Sequence, residues 1–242
     1  TNACPLEYLT CTIKNKQDNN IIMKKIYSLL GVFLFCSVMI FAQYPTNRTA
    51  KTIVADVLAQ MPAQQTEQYY AQIKDLASTG EEGVLLLVKM MNPLGKGANS
   101  QVEFALSGLS HYVSAEGMGD KRQVVSGAYL KALDMVSDRE IKAFIIRQLE
   151  LIGKGEAVAK LATYLADESL CGPAAAALSA INTPSSQKAL LNALSASADD
   201  KSSESIILAL AKLKVTDAEN SLRRLLDTND TDKRKTVLYA LS

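Results

Sequence analysis

Histidine occurs once in the 242 residues, at His111, tryptophan does not occur, and aromatic side chains reach only 6%. A lone histidine excludes a multi-histidine metal site and leaves any nucleophile–histidine–acid triad a single possible base. Neither sign of charge dominates: 26 Lys and Arg stand against 25 Asp and Glu, a formal +1. That balance removes the global electrostatic drive toward nucleic acid. Cysteine is scarce where it would count, because Cys4, Cys11 and Cys36 fall in the first 42 residues and only Cys171 lies beyond them. One cysteine cannot form an internal disulfide, so the core alone must hold that part together. Alternation of apolar and polar residues with period 2 is also missing after residue 43, which argues against strands.

What is present begins with a targeting pattern. The first methionine is Met23. Lys24 and Lys25 follow it, then the almost wholly apolar run from Leu29 to Phe41. That run is shorter than the roughly 20 residues a membrane-spanning helix needs, and it reads as a secretory signal peptide over Met23–Ala42, cleaved after Ala42. Residues 1–22 read as translated upstream sequence. Cys36 sits inside the apolar run after Phe35, so it is not a lipid-attachment cysteine. Without Lys14, Lys16, Lys24, Lys25, Glu7 and Asp18 the remaining chain carries a net −1.

From residue 43 the apolar spacing is helical. Ile53, Val54, Val57, Leu58 and Met61 follow the i, i+3, i+4 pattern, as do Tyr69, Tyr70, Ile73, Leu76 and Ala77. Val102, Ala105, Leu106, Leu109 and Val113 repeat it, and so do Ile141, Ile145, Leu149 and Ile152. The prolines Pro45, Pro62, Pro93, Pro173 and Pro184 are expected at helix starts and stops, since one in a helix interior costs about 3 kcal/mol. Gly80, Gly95, Gly117, Gly153 and Gly155 are expected between helices. Thr183 reads as an N-cap ahead of Pro184, and Thr216–Glu219 and Ser100–Glu103 read as capping boxes with the hydroxyl residue as cap.

The helices recur in pairs. The windows Phe144–Leu165, Pro173–Leu194 and Ser205–Leu226 align without gaps. Leu149 falls on Leu178 and Leu210, Ile152 on Ile181 and Leu213, Leu161 on Leu190 and Leu222, and Leu165 on Leu194 and Leu226. Thr236–Ser242 starts a fourth unit by matching Ser205–Ala211. Two short helices every 30 residues or so is the signature of an α-solenoid. The phrase LELIGKGEAVAKLATYL at Leu149–Leu165 resembles the HEAT and HEAT-like repeat, and LASTGEEGVLLLVKMM at Leu76–Met91 resembles it as well. Phe104–Val136 reads as a longer variant with an extended loop around Gly117 and Gly119. The expected fold is therefore all-α, an α-α superhelix. Its N-terminal repeats are irregular over 43–137, and the regular ones occupy 138–242. The last unit stops after one helix, leaving Val237, Leu238 and Leu241 without a partner helix, so the chain is expected to be a fragment of a longer protein.

Candidate chemistry is thin. His111, beside Tyr112, reads as a helix-terminus histidine favoured by the dipole. Cys171 opens a helix, where a thiol pKa falls, but the neighbouring Ala174–Leu178 run reads as packed core. The acidic pairs Glu81-Glu82, Asp199-Asp200 and Asp227 to Asp232 read as turn residues, and Gly95-Lys96-Gly97 as a connector between helices. No catalytic, cofactor or metal site is expected. Repeat register instead aligns Thr163 with Asn192 and Arg224, and Ala159 with Lys188 and Asn220. If the second helix of each pair lines a concave face, as the resemblance implies, Thr163, Lys188, Asn192, Asn220 and Arg224 form polar ladders there.

Three functional readings follow. The first is a non-catalytic interaction scaffold exported to the periplasm or outer surface of a Gram-negative bacterium. It would bind a protein partner or a downstream domain of its own chain, and neither nucleic acid nor, after signal cleavage, membrane. The second rests on a likeness of the Gln43–Gly97 stretch to exported HEAT proteins that continue into a ketodisaccharide-type hydrolase domain. It makes the chain the N-terminal accessory region of a larger secreted carbohydrate-active hydrolase. The third and last is a lyase-like or adaptor role toward bilin-type chromophores, which HEAT-like proteins also serve.

Overall fold

Four helices begin where a short polar side chain, in one case followed by a proline, caps the run that follows it. The computed structural model describes residues 48–196, 203–227 and 230–242, apart from the Thr216 side chain. The segments 1–22 and 23–42, Pro45, Asp199, Asp200 and the expected Thr216 cap lie outside the described residues. Twelve helices are described: α1 (Ala50–Ala59), α2 (Thr66–Ser78), α3 (Gly80–Lys89), α4 (Ser100–Ser114), α5 (Gly119–Met135), α6 (Arg139–Ile152), α7 (Val158–Ala162), α8 (Cys171–Ile181), α9 (Pro184–Ala196), α10 (Ser203–Leu213), α11 (Glu219–Arg224) and α12 (Thr231–Leu241). No strand occurs among the described residues, so the fold is all-α. No described helix is long and apolar enough to cross a membrane.

Caps set the helix starts. The Thr49 hydroxyl accepts the Thr52 N–H at 3.2 Å, and the Asp138 carboxylate accepts the Ile141 N–H at 3.0 Å. Thr183 caps α9 through the Ser186 N–H at 3.2 Å, with Pro184 as first helical residue. Such a cap is worth about 1 kcal/mol. The expected box at Ser100 is not formed: α4 starts at Ser100 itself, after Asn99. Asn99 is engaged elsewhere. Its side-chain carbonyl accepts the Asn92 N–H and its amide donates to the Asn92 carbonyl, both at 2.8 Å, which closes the loop over 92–99. Gly80 opens α3 at φ +60°, a left-handed conformation that lets the chain reverse after α2 with only Thr79 between the helices. The stretch around Gly117 and Gly119 is not an extended loop. Its extra residues lengthen the helices instead, α5 reaching 17 residues, and Gly119 is the first of them.

The apolar stripes are the buried faces. Val54, Val57 and Leu58 of α1, Ile73, Leu76 and Ala77 of α2, all five expected residues of α4 and all four of α6 are buried. Tyr70 is an exception. It is exposed, because the buried stripe of α2 ends at the half-buried Tyr69, whose ring lies 5.8 Å from that of Tyr70 and 5.4 Å from that of Phe104.

Residues Thr49–Ser242 form one compact unit. Its packing order is regular. Each even-numbered helix packs on the next even one, from α2 through α4, α6, α8 and α10 to α12. Among the odd helices α1 packs on α3, α3 on α5, and α7 on α9. The aligned leucines belong to the core that this packing buries. Leu149, Leu178 and Leu210 are buried on α6, α8 and α10, and Leu161, Leu190 and Leu222 on α7, α9 and α11. Ile152, Leu165 and Leu194 are buried too, while Ile181, Leu213 and Leu226 are half-buried. Burying each such side chain stabilises by roughly 1.5–3 kcal/mol, so the repeated positions carry much of the core. α6 packs on both α4 and α5, so the core continues across position 137.

Candidate functional site

The ladder residues lie on the odd helices. Thr163 ends α7, where its hydroxyl donates to the Lys160 carbonyl at 2.7 Å. Lys188 and Asn192 lie one turn apart on α9, and Asn220 and Arg224 one turn apart on α11. All five are exposed, as is Ala159. The structure brings α7 and α9 into direct contact, so Thr163, Lys188 and Asn192 share neighbouring helices. Asn220 and Arg224 are carried by α11, which packs on α12. On α11 the Arg223 guanidinium is drawn back to Glu219, at 3.0 and 2.7 Å, one turn before it.

Ion pairs tie the odd helices together close to the first ladder. Lys160 of α7 pairs with Asp134 of α5, and Lys131 of α5 pairs with Glu81 of α3 at 2.6 Å. The hydrogen bond from Lys160 to Asp134 holds the lysine above its ordinary range. Lys142 lies 5.6 Å over the Tyr164 ring, and partial burial pushes that phenol up.

The residues with chemical potential are scattered. His111 is exposed in the last turn of α4. Cys171 opens α8 and its side chain is buried, both as expected. Of the acids, Asp230 does cap a helix. Its carboxylate accepts the N–H groups of Asp232 and Lys233 at 2.9 and 3.1 Å, and the Lys233 amide, then that of Asp232, holds it below the usual range. Among the described residues no group of three or more His, Cys, Asp and Glu is placed to hold a metal ion.

Two polar clusters were not legible as candidates. Arg122 of α5 donates to the Ile152 carbonyl at 2.8 Å and to Glu156 at 2.7 Å, and Ser126 donates to the same carboxylate oxygen at 3.0 Å. Burial works against ionisation of Glu156, but the hydrogen bonds from Arg122, its own backbone and Ser126, with the Arg122 charge, together hold its carboxyl below the usual range. This cluster ties the end of α6 and the turn before α7 to α5. The second cluster is buried: the Tyr129 hydroxyl meets Ser110 Oγ at 2.9 Å and the Leu106 carbonyl at 3.1 Å. Burial pushes the Tyr129 phenol far up, and the Ser110 hydrogen bond opposes this only in part. Both clusters join residues 19 or more positions apart, beyond the reach of any local pattern.

A cavity of about 800 Å³ lies between α10, α11 and α12, with Leu208, Leu222, Tyr239 and Leu241 in its walls and Lys212, Lys214 and Glu219 beside them. No protein-family model and no curated protein matches the chain.

Proposed function

We propose that this chain is an exported, non-catalytic interaction scaffold. In this reading it is a HEAT-like α-solenoid whose odd helices present Thr163, Lys188, Asn192, Asn220 and Arg224 to a protein partner, or to another domain of a parent chain. The observation that carries the reading is the agreement between register and exposure. Leucines aligned across three ungapped windows are buried on successive helices, while the polar residues two positions away from the second-helix leucines are exposed. A stack built this way offers the same polar column from unit to unit, which is how extended repeat surfaces contact partners. The accessory-region reading, a docking arm of a secreted carbohydrate-active hydrolase, draws on the resemblance alone.

Photo-crosslinking in the producing cell tests the scaffold reading. A photoreactive phenylalanine is placed at Thr163, Lys188 or Asn192 on the odd helices, and at Lys74, Arg147 or Leu208 on the even ones. The expected result is one discrete adduct from the odd-helix positions only. Adducts of equal yield from both sets, or from neither, overturn the proposed face.

A further inference from the structure

Large apolar side chains are exposed at ten described positions, and three of them, Met90, Leu94 and Met135, belong to one corner of the molecule. Single exposed apolar residues are ordinary, but a cluster of them marks a contact surface. Where the C-terminal ends of α3 and α5 meet the start of α6 lies a hollow of about 370 Å³. Its walls are Leu85, Val88, Met91, Met135, Val136 and Ile141, and Lys89 and Asp138 stand beside them with opposite charges. Lys89 forms no ion pair among the described residues. Met90 and Leu94 flank Met91 and Pro93 in the chain, and both of these line the hollow.

Leu94 is the most exposed of the ten, at 83%, and the backbone holds it there. The Lys96 N–H donates to the Pro93 carbonyl at 2.9 Å, and Gly95 has φ +75°. That is a type II turn, with Leu94 at its first corner and glycine at the position that needs a positive φ. The two hydrogen bonds between Asn92 and Asn99 close the loop around this turn. The turn keeps Leu94 out of the hollow beside it, so an apolar knob and an apolar hollow stand next to each other. A tip fixed in this way loses little conformational freedom on binding.

We propose that this corner is a contact between two copies of the chain, in which Leu94 of each copy enters the hollow of the other. A knob beside a hollow is self-complementary under a two-fold axis, because one rotation fills both hollows. The charges obey the same symmetry: Lys89 of each copy meets Asp138 of the other, so the two-fold pairs opposite signs twice. An apolar, methionine-bearing centre with charges at its edge also has the composition of an interface. None of the residues Thr163, Lys188, Asn192, Asn220 and Arg224 takes part, so this contact stands or falls independently of the proposed scaffold face.

The test is sedimentation velocity of the purified chain over a wide range of concentration, where a reversible monomer–dimer equilibrium is expected. Leu94→Asp removes the knob and Met135→Arg obstructs the hollow. Both positions are exposed, so both variants should melt close to the unchanged chain. Each should weaken dimerisation roughly a hundredfold or more, because a symmetric contact loses every interaction twice. Mixing the two variants should restore dimers. The carboxylate introduced at position 94 then faces the guanidinium introduced at position 135, while the intact hollow of the first variant takes the intact leucine of the second. Monomers at every concentration would leave the hollow to another occupant and overturn the proposal. Dimers that survive either substitution would place the contact elsewhere, and a mixture that stays monomeric would refute the exchange of knob and hollow.

Discussion

At the residue scale, Tyr129 shows how a polar atom earns a place in the core. Its side chain is fully buried, and its hydroxyl shares a three-oxygen cluster with Ser110 Oγ and the Leu106 carbonyl, joining α5 to α4. Tyr129→Phe keeps the ring and removes only that oxygen, so it is expected to lower stability by about 1–2 kcal/mol. Ser110→Ala is expected to cost less, because Tyr129 still donates to Leu106. Urea titrations of both variants check the order, and an unchanged midpoint for Tyr129→Phe would show that the hydroxyl has no net value. The phenol also has a pH consequence. Its folded pKa is raised, so its contribution is complete below the unfolded value of 10.0 and is lost as pH rises beyond it. The alkaline loss of stability should therefore be smaller in Tyr129→Phe than in the unchanged chain.

At the element scale, the clasp of Arg122, Ser126 and Glu156 fixes how α7 leaves α6. Because the folded pKa of Glu156 is lowered, its contribution is present above the ordinary 4.5 and is lost as pH falls through the lower folded value. The stability difference between the unchanged chain and Glu156→Gln should therefore be constant near neutrality and shrink below about pH 4. A difference that stays flat through the acid range would remove the clasp from the account. Packing register gives a second contrast on neighbouring elements. Leu178→Asp puts a charge between α8 and its neighbours and is expected to cost several kcal/mol, whereas Thr163→Asp, exposed at the end of α7, should cost a few tenths. Equal melting shifts by circular dichroism would mean the register is wrong. That register was legible because apolar period, proline and glycine are local signals, and the buried leucines fall on their aligned positions. The exposure of Thr163, Lys188, Asn192, Asn220 and Arg224 followed from it. Ser100 was misread as a cap because Asn99 beside it has the same local preference and spends its side chain on Asn92, seven positions away. The clasp was illegible for a stronger form of the same reason, since Arg122 and Glu156 meet across 34 positions.

At the scale of the whole unit, the packing order itself makes a claim about cooperativity. Each even helix rests on its even neighbours in the row and on adjacent odd ones, so a perturbation has few direct routes to distant repeats. If stability is close to a sum of local and nearest-neighbour terms, damage in one repeat should stay near it. Leu210 is a suitable probe. It is buried on α10, which packs on α8, α9 and α12 but has no comparable contact with α2 or α4. Leu210→Ala removes three buried carbons and should cost about 2–5 kcal/mol where the cavity opens. Under native conditions, amide hydrogen exchange should then accelerate in α8, α10 and α12 and stay unchanged in α2 and α4, whose own buried residues keep all their partners. Uniform acceleration from α2 to α12 would mean that the unit opens only as a whole. Register would then still describe where the leucines lie, but not how the molecule holds together, and the repeat description of its energetics would have to be abandoned.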